Sequence, residues 1–344
     1  MAYTTIKKPS DYFNTKLYTG NGSTQSITSV GFQPDWLWIK NRGTADENIV
    51  FDSVRGVEKR LLTDGTQSEL TTTNHLSSFD SDGFTVPGLS ANTGASSNNY
   101  VAWNWLADNT NGSSNTDGSI TSTVSANTTS GFSIVSYTGT GANATVGHGL
   151  GIAPKFIIVK SRSSGNSWAV QTPTGAGFEM NLNNEEGQTA TSVYWNSTDP
   201  TSSVFSVGTN GATNLSGDDY IAYVFAPIKG FSKMGSYTGN GNIDGTFVYT
   251  GFKPAFLLVK YTSPQKWWII DNKRDAFNSD PNSTAVIPDN AQAEENGTAF
   301  NTDLLSNGFK IRSTWSGVNT SGGTYVYMAF AEEPLVGDNP ATAR

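Results

Sequence analysis

At 344 residues, with charged side chains at 15%, aromatics at 12% and a net charge of −8, the chain has enough large apolar surface for real cores. The acidic balance, with no Lys/Arg cluster, argues against nucleic acid, which requires a basic face. No run of about 18 apolar residues offers a membrane span, and the absence of cysteine removes disulfides, thiolate metal sites and thiol nucleophiles together.

The leader, residues 1–16, lacks the apolar core of a signal peptide. It is expected to serve as a docking segment on a protein that stays where it is made or leaves by lysis or assembly. At Leu17 begins "LYTGNGSTQSITSVGFQPDWLWIK", a strand, a polar turn and a second strand. Two relatives follow, "SYTGTGANATVGHGLGIAPKFIIVK" from Ser136 and "SYTGNGNIDGTFVYTGFKPAFLLVK" from Ser236. The Tyr-Thr-Gly triplet starts at Tyr18, Tyr137 and Tyr237, the proline falls at Pro34, Pro154 and Pro254, and the final lysine at Lys40, Lys160 and Lys260. Each stretch closes alike, with "NNYVAWNWLA", "DDYIAYVFAP" and "GTYVYMAFAEEP". Short runs of Val, Ile, Phe, Tyr and Trp punctuated by Gly, Asn and Asp predict an all-β chain of three tandem β-sandwich, jelly-roll-like repeats. The repeats span 17–107, 131–228 and 229–334, like beads, with 108–130 as a polar linker unable to bury a core and 335–344 as a tail free to act as an interaction peptide.

The strand after each proline is apolar on both sides, the pattern of a strand buried on both faces. Trp36 and Trp38 therefore read as core, with a sugar-stacking platform as the alternative. Trp103 and Trp105 are less decided, and adjacent Trp267 and Trp268 must point to opposite faces, so that one could be exposed. Trp105 and Trp267 are thus candidate ligand contacts. "FDSVRG" (Asp52, Arg55) and "IIDNKRD" (Asp271, Arg274) each place an Asp and an Arg three apart around a turn. A salt bridge that pins the loop is the preferred reading, and a ligand-binding role for Arg55 and Arg274 is the other.

Catalytic chemistry finds little support. His75 and His148 lie in turn-rich stretches without a nucleophile motif, and two isolated histidines do not make a transition-metal site. "FDSDGF" (Asp80, Asp82) resembles the start of a calcium loop, but Asp-Gly between apolar runs is a hairpin signal. The acidic pairs Glu185/Glu186, Glu294/Glu295 and Glu332/Glu333 do not recur in all three repeats. No catalytic residue, metal or cofactor is assigned. The N-x-[ST] triplets at Asn111, Asn127, Asn143 and Asn196 read as by-products of composition.

The combination "YTGNG…GFxPxxxxIK…FDSVRG…FDSDGF…YVAWNW" resembles repeat domains of uncharacterised function in virion structural and tail-fibre proteins of marine tailed bacteriophages, cyanophages among them. The resemblance runs from Tyr12 to Pro334 and is weakest in the second repeat, which lacks the Arg-Gly element. It implies a virion protein, a tail-fibre or appendage subunit that helps attach to host-surface glycan, in contact with other virion proteins and with further copies of itself, a trimer by analogy. A capsid-decoration or tail accessory protein without a receptor is the alternative, and a polysaccharide depolymerase is less favoured. Recognition is expected in the loops that vary, "NGSTQSITSV", "TGANATVGHGLGI" and "NGNIDGTFVYT".

Overall fold

Each Tyr-Thr-Gly phrase ends a strand that lies against the closing strand of its own repeat. In the first unit Phe13–Thr19 pairs antiparallel with Asn99–Trp105, Tyr18 opposite Tyr100. Trp36–Asn41 flanks the closing strand on its other side, and Ile49–Asp52 follows. The same order, opening–closing–second–third, recurs in Phe132–Thr138, Asp219–Phe225, Phe156–Ser161 and Ala169–Gln171. It recurs again in Ser232–Thr238, Thr324–Pro334, Phe252–Tyr261 and Trp267–Asp271. A smaller outer sheet completes each sandwich; in the third unit it is Phe247–Tyr249, Gly308–Ile311 and Thr302–Leu305. This computed structural model describes residues 4–275, 278, 283–338 and 340–342. Among them no helix is long and apolar enough to cross a membrane.

The repeated phrase has a local physical reason. Its tyrosine stacks on the tyrosine of the closing strand, with ring centroids 5.0, 5.1 and 4.9 Å apart in the three units. The hydroxyls of Tyr18, Tyr137 and Tyr237 donate to the carbonyls of Thr93, Thr213 and Val318. A Cβ on the glycine that ends the triplet would sit 2.3, 2.3 and 2.4 Å from the carbonyl oxygens of Ala95, Leu215 and Thr320. Only glycine lets the two segments approach so closely.

The alternation along the closing strands decides the architecture. In the first unit Tyr100 and Ala102 face the core of their own sandwich, with Ile27, Phe84 and Val86. Val101, Trp103 and Trp105 face the other way, into a second core that also holds Ile221, Tyr223 and Phe225 of the second unit and Val326, Met328 and Phe330 of the third. Trp105, Phe225 and Phe330 occupy the same register position and touch one another in a triangle, with centroids 6.4, 5.7 and 5.9 Å apart. The three inner sheets therefore surround one pseudo-threefold axis.

The expectation of separate beads fails for this reason: the strands are apolar on both faces because the second face packs against the other two units. Two other expectations are corrected with it. The stretch 108–130 forms strands Ser113–Asn115 and Ser122–Asn127, which extend the second unit's sheet, and it buries Ile120 and Val124 in that unit's core. The leader belongs to the body as well. Ile6 and Phe13 are 1% and 2% exposed in the shared core, while residues 1–3 lie outside the described residues. The described part of the tail lies along the leader, with the Asp338 N–H donating to the Lys7 carbonyl.

Candidate functional site

The residues singled out in the sequence meet at the seams between units. Trp105 and Trp267 are both fully buried, Trp105 on the axis and Trp267 beside Phe156 of the second unit. Trp268 points the opposite way and is buried in the third unit's own core. Neither face of the Trp267–Trp268 pair reaches solvent, so Trp105 and Trp267 cannot act as stacking platforms.

Arg55 lies at the seam between the first and second units. Its Nε donates to Asp52 at 2.5 Å, one terminal nitrogen to the Lys59 carbonyl and Glu69, and the other to the Val50 carbonyl and the Tyr223 hydroxyl. A guanidinium has five N–H donors, and these five contacts use them all. Tyr223, from the second unit, donates in turn to Asp52 at 2.7 Å. Glu69 also takes a bidentate pair from Arg162 of the second unit at 2.8 and 3.1 Å. Burial pushes the Glu69 carboxyl up, but Arg162 and Arg55 outweigh it and hold it below the usual range.

The same network recurs between the third and first units. Arg274 donates to Asp271 at 2.6 Å and to Glu294 at 3.2 Å, Glu294 is gripped by Arg42 at 2.8 Å twice, and Trp103 donates to Asp271 at 3.0 Å. Both Arg55 and Arg274 side chains are fully buried. The salt-bridge reading holds, with the addition that each bridge belongs to a network that joins two units, and neither guanidinium is presented to a ligand.

A ring of hydrogen bonds closes the assembly. Asn48 of the first unit donates to the Ile287 carbonyl of the third, Trp267 of the third to Asn181 of the second, and Trp168 of the second to Leu62 of the first, at 3.1, 2.8 and 2.7 Å. Lys40, Lys160 and Lys260 are buried below these contacts, each ammonium donating to main-chain carbonyls of the loop that follows it. Burial lowers Lys40 and Lys160 to about 8, against the pull of nearby carboxylates.

The other sequence candidates are local. Burial, reinforced by Arg60, lowers His75 to about 4. His148 accepts the Leu150 N–H and lies opposite the Thr201 carbonyl. Asp80 ends its strand, Asp82 is the second residue of the Ser81–Asp82 turn between Ser78–Asp80 and Gly83–Val86, and Asp82 accepts the N–H groups of Ser29 and Gly31. Among the described residues no group of three or more His, Asp or Glu side chains gathers as a metal site.

Two features face solvent. The first is on the outer sheet of the third unit, within the variable loop "NGNIDGTFVYT". Phe247 and Tyr249 are 43% and 50% exposed on one side of their strand while Val248 points inward, and Ile243 nearby is 66% exposed. Gly308 lies opposite Tyr249, and Lys310 opposite Phe247. The Lys233 ammonium sits 5.5 Å from the Tyr249 ring centroid. Register-equivalent positions hold Ser26 and Thr28 in the first unit and Thr145 and Gly147 in the second. The alternation in "TFVYT" carries this signal in the sequence, but it is visible only once the unit's inward face is known.

The second feature is a cleft of about 310 Å³ at the seam where the third unit meets the first, lined among others by Asn14, Thr15, Ala255, Asn272, Lys273 and Glu332. No sequence motif marks it.

Residues 8–334 match the family model described as a domain of unknown function, DUF7483, and the chain belongs to that family. The match runs through all three sheets and the segments between them. No curated protein matches the chain.

Proposed function

We propose that the chain is a non-catalytic virion structural protein, a tail-fibre or appendage subunit that contributes to host-surface attachment by binding glycan on the outer sheet of its third unit. The observation that carries this reading is the outward pair Phe247 and Tyr249, beside the bare Gly308 floor and the polar fringe of Lys310, Asp303 and Asp244. An aromatic face covers the C–H side of a sugar ring while neighbouring charged and amide groups bond its hydroxyls. The other two units present small hydroxyls or glycine at the same positions, so the platform is not a requirement of the fold. The shared core and closed hydrogen-bond ring would hold that platform on a rigid body, which reduces the ordering cost of binding. Association of several chains would add avidity.

The test is adsorption of the purified chain to host cells and to a panel of surface polysaccharides. Tyr249→Ala is expected to weaken binding by about tenfold or more without changing the unfolding midpoint. Undiminished adsorption by a Phe247→Ala/Tyr249→Ala double variant refutes the platform. Binding to particles lacking this protein, with none to cells or polysaccharide, favours the decoration reading. Release of oligosaccharide from polysaccharide favours a depolymerase.

A further inference from the structure

The three seams are related by the pseudo-threefold axis, but they are filled differently. At the seam between the first and second units, the chain leaving the first sheet lies over Asp35 and Ser53. Asp35 accepts the N–H groups of Ala107 and Asn109 at 2.7 and 3.0 Å, and Ser53 donates to the Thr110 carbonyl at 3.4 Å. Strand register equates Asp35 with Ala255 and Ser53 with Asn272. The main-chain bond from Ser53 to Asp35 has its counterpart from Asn272 to Ala255.

In the third unit the exit chain takes another route. Ala331–Pro334 continues as strand, pairing across a bulge with Phe252–Pro254. The place occupied by residues 107–110 in the first unit is therefore left as the 310 Å³ cleft, near the lower end of the usual range for ligand sites, about 300–1,000 Å³. Its walls hold two side chains that are more than nine-tenths buried and lack a protein partner for one atom each. Thr15 is 4% exposed with its Oγ1 unpaired, and Asn272 is 7% exposed with its Oδ1 unpaired. Buried polar atoms without partners are costly, and here both line one cleft whose counterpart is filled by main chain.

We propose that this cleft is a docking site for a short extended polypeptide segment of a partner chain, with small side chains and free main-chain N–H groups. Asn272 Oδ1 accepts an N–H of the segment, and the Thr15 hydroxyl donates to one of its carbonyls. Lys273, at the wall of the cleft, supplies a further donor for a carbonyl. Ala255 leaves the space that Asp35 fills in the first unit. The mode is main-chain recognition with little demand on sequence. It is independent of the aromatic platform and does not rest on the glycan reading.

The probe is the capped tetrapeptide acetyl-Ala-Asp-Asn-Thr-amide, the sequence this chain seats at the equivalent place, titrated into the full-length chain and followed by NMR. Saturable binding with a Kd of about a millimolar or tighter is expected, with shifts at Asn272 and Thr15. Thr15→Val and Asn272→Ala should each weaken it by about tenfold while leaving the free protein as stable as before or more so, because each removes an unpaired polar group. Ala255→Leu should abolish it, and N-methylation of the probe's first and third residues, the counterparts of Ala107 and Asn109, should do the same. Absence of saturable binding overturns the proposal. So does binding indifferent to Thr15→Val and Asn272→Ala, and so does occupation of the cleft by simple monosaccharides in place of the peptide.

Discussion

Two of the three seams are charged and one is not. Between the first and second units the interface holds Asp52, Arg55 and Glu69 against Arg162 and Tyr223. Between the third and first it holds Asp271, Arg274 and Glu294 against Arg42 and Trp103. Between the second and third, strand register and the following loop, one residue shorter, put Thr172, Thr174 and Gln188 at the corresponding places, against Thr262 and Met328. There the main-chain bond from Gln188 to the Thr262 carbonyl is kept, Gln188 reaches the Thr174 hydroxyl, and that hydroxyl bonds the Thr172 hydroxyl at 2.7 Å. All five positions change together. A partial change would leave a buried carboxylate or guanidinium unpaired, which costs several kcal/mol. The neutral seam is also the one whose two units the chain joins directly, through "PIKG". The first and second units are joined through 106–112, after which the chain adds two strands to the second unit's sheet, and the third and first are not consecutive. At the third-to-first seam the charge network supplies registry that no direct chain connection supplies.

The largest expected effect comes from breaking one network. Arg55→Met removes the guanidinium from the buried Asp52, leaving it the Tyr223 hydroxyl and the main-chain N–H of residue 55, and should lower the unfolding free energy by about 3–5 kcal/mol in urea titrations. Replacing the whole network by its neutral counterpart should cost less than that single change. The variant carrying Asp52→Thr, Arg55→Thr, Glu69→Gln, Arg162→Thr and Tyr223→Met should fold, with a loss of about 2 kcal/mol or less. A greater loss than for Arg55→Met would show that charge is required at that seam.

Glu69→Gln alone should cost about 1–3 kcal/mol at pH 7. Because the folded-state pKa of Glu69 is depressed, its stabilisation is present above its unfolded value, about 4.3, and is lost as the pH falls through the folded value. The difference between wild type and Glu69→Gln should therefore shrink on acidification below that value, and a difference constant from pH 7 to 3 would contradict the ion-pair account. The smallest effect belongs to the neutral seam, where Thr174→Ala removes the hydrogen bonds to Thr172 and Gln188 and should change stability by about 1–2 kcal/mol or less.

Much of the fold was legible before the structure. The doubly apolar strands at Trp36–Trp38 and their counterparts showed burial on both faces, and the Asp–Arg spacing at 52/55 and 271/274 announced a turn-pinning bridge. The sequence did not disclose what covers the second face. The residues that cover it, such as Phe225 and Phe330 over Trp105, are more than a hundred positions away and belong to other repeats. The segment 108–130 looked unable to contribute because its polar residues dominate, yet Ile120 and Val124 are enough to anchor an added strand. The cleft was invisible for a similar reason: it exists because Ala331–Pro334 takes a different path from Leu106–Thr110, and path is not a property of composition. The aromatic pair lay in a loop marked as variable, but its exposure depended on which side of the outer sheet faces inward.

The triangle of Trp105, Phe225 and Phe330 has one further consequence. In an assembly of three identical subunits, every substitution appears three times, so a bulky aromatic on the surface or a vacancy at a boundary must be tolerated at all three positions. Covalent fusion of the three sheets lifts that restriction. Each third of the molecule can differ as long as the axis stays packed: one face carries Phe247 and Tyr249, one boundary lacks the charged network, and another holds an open cleft.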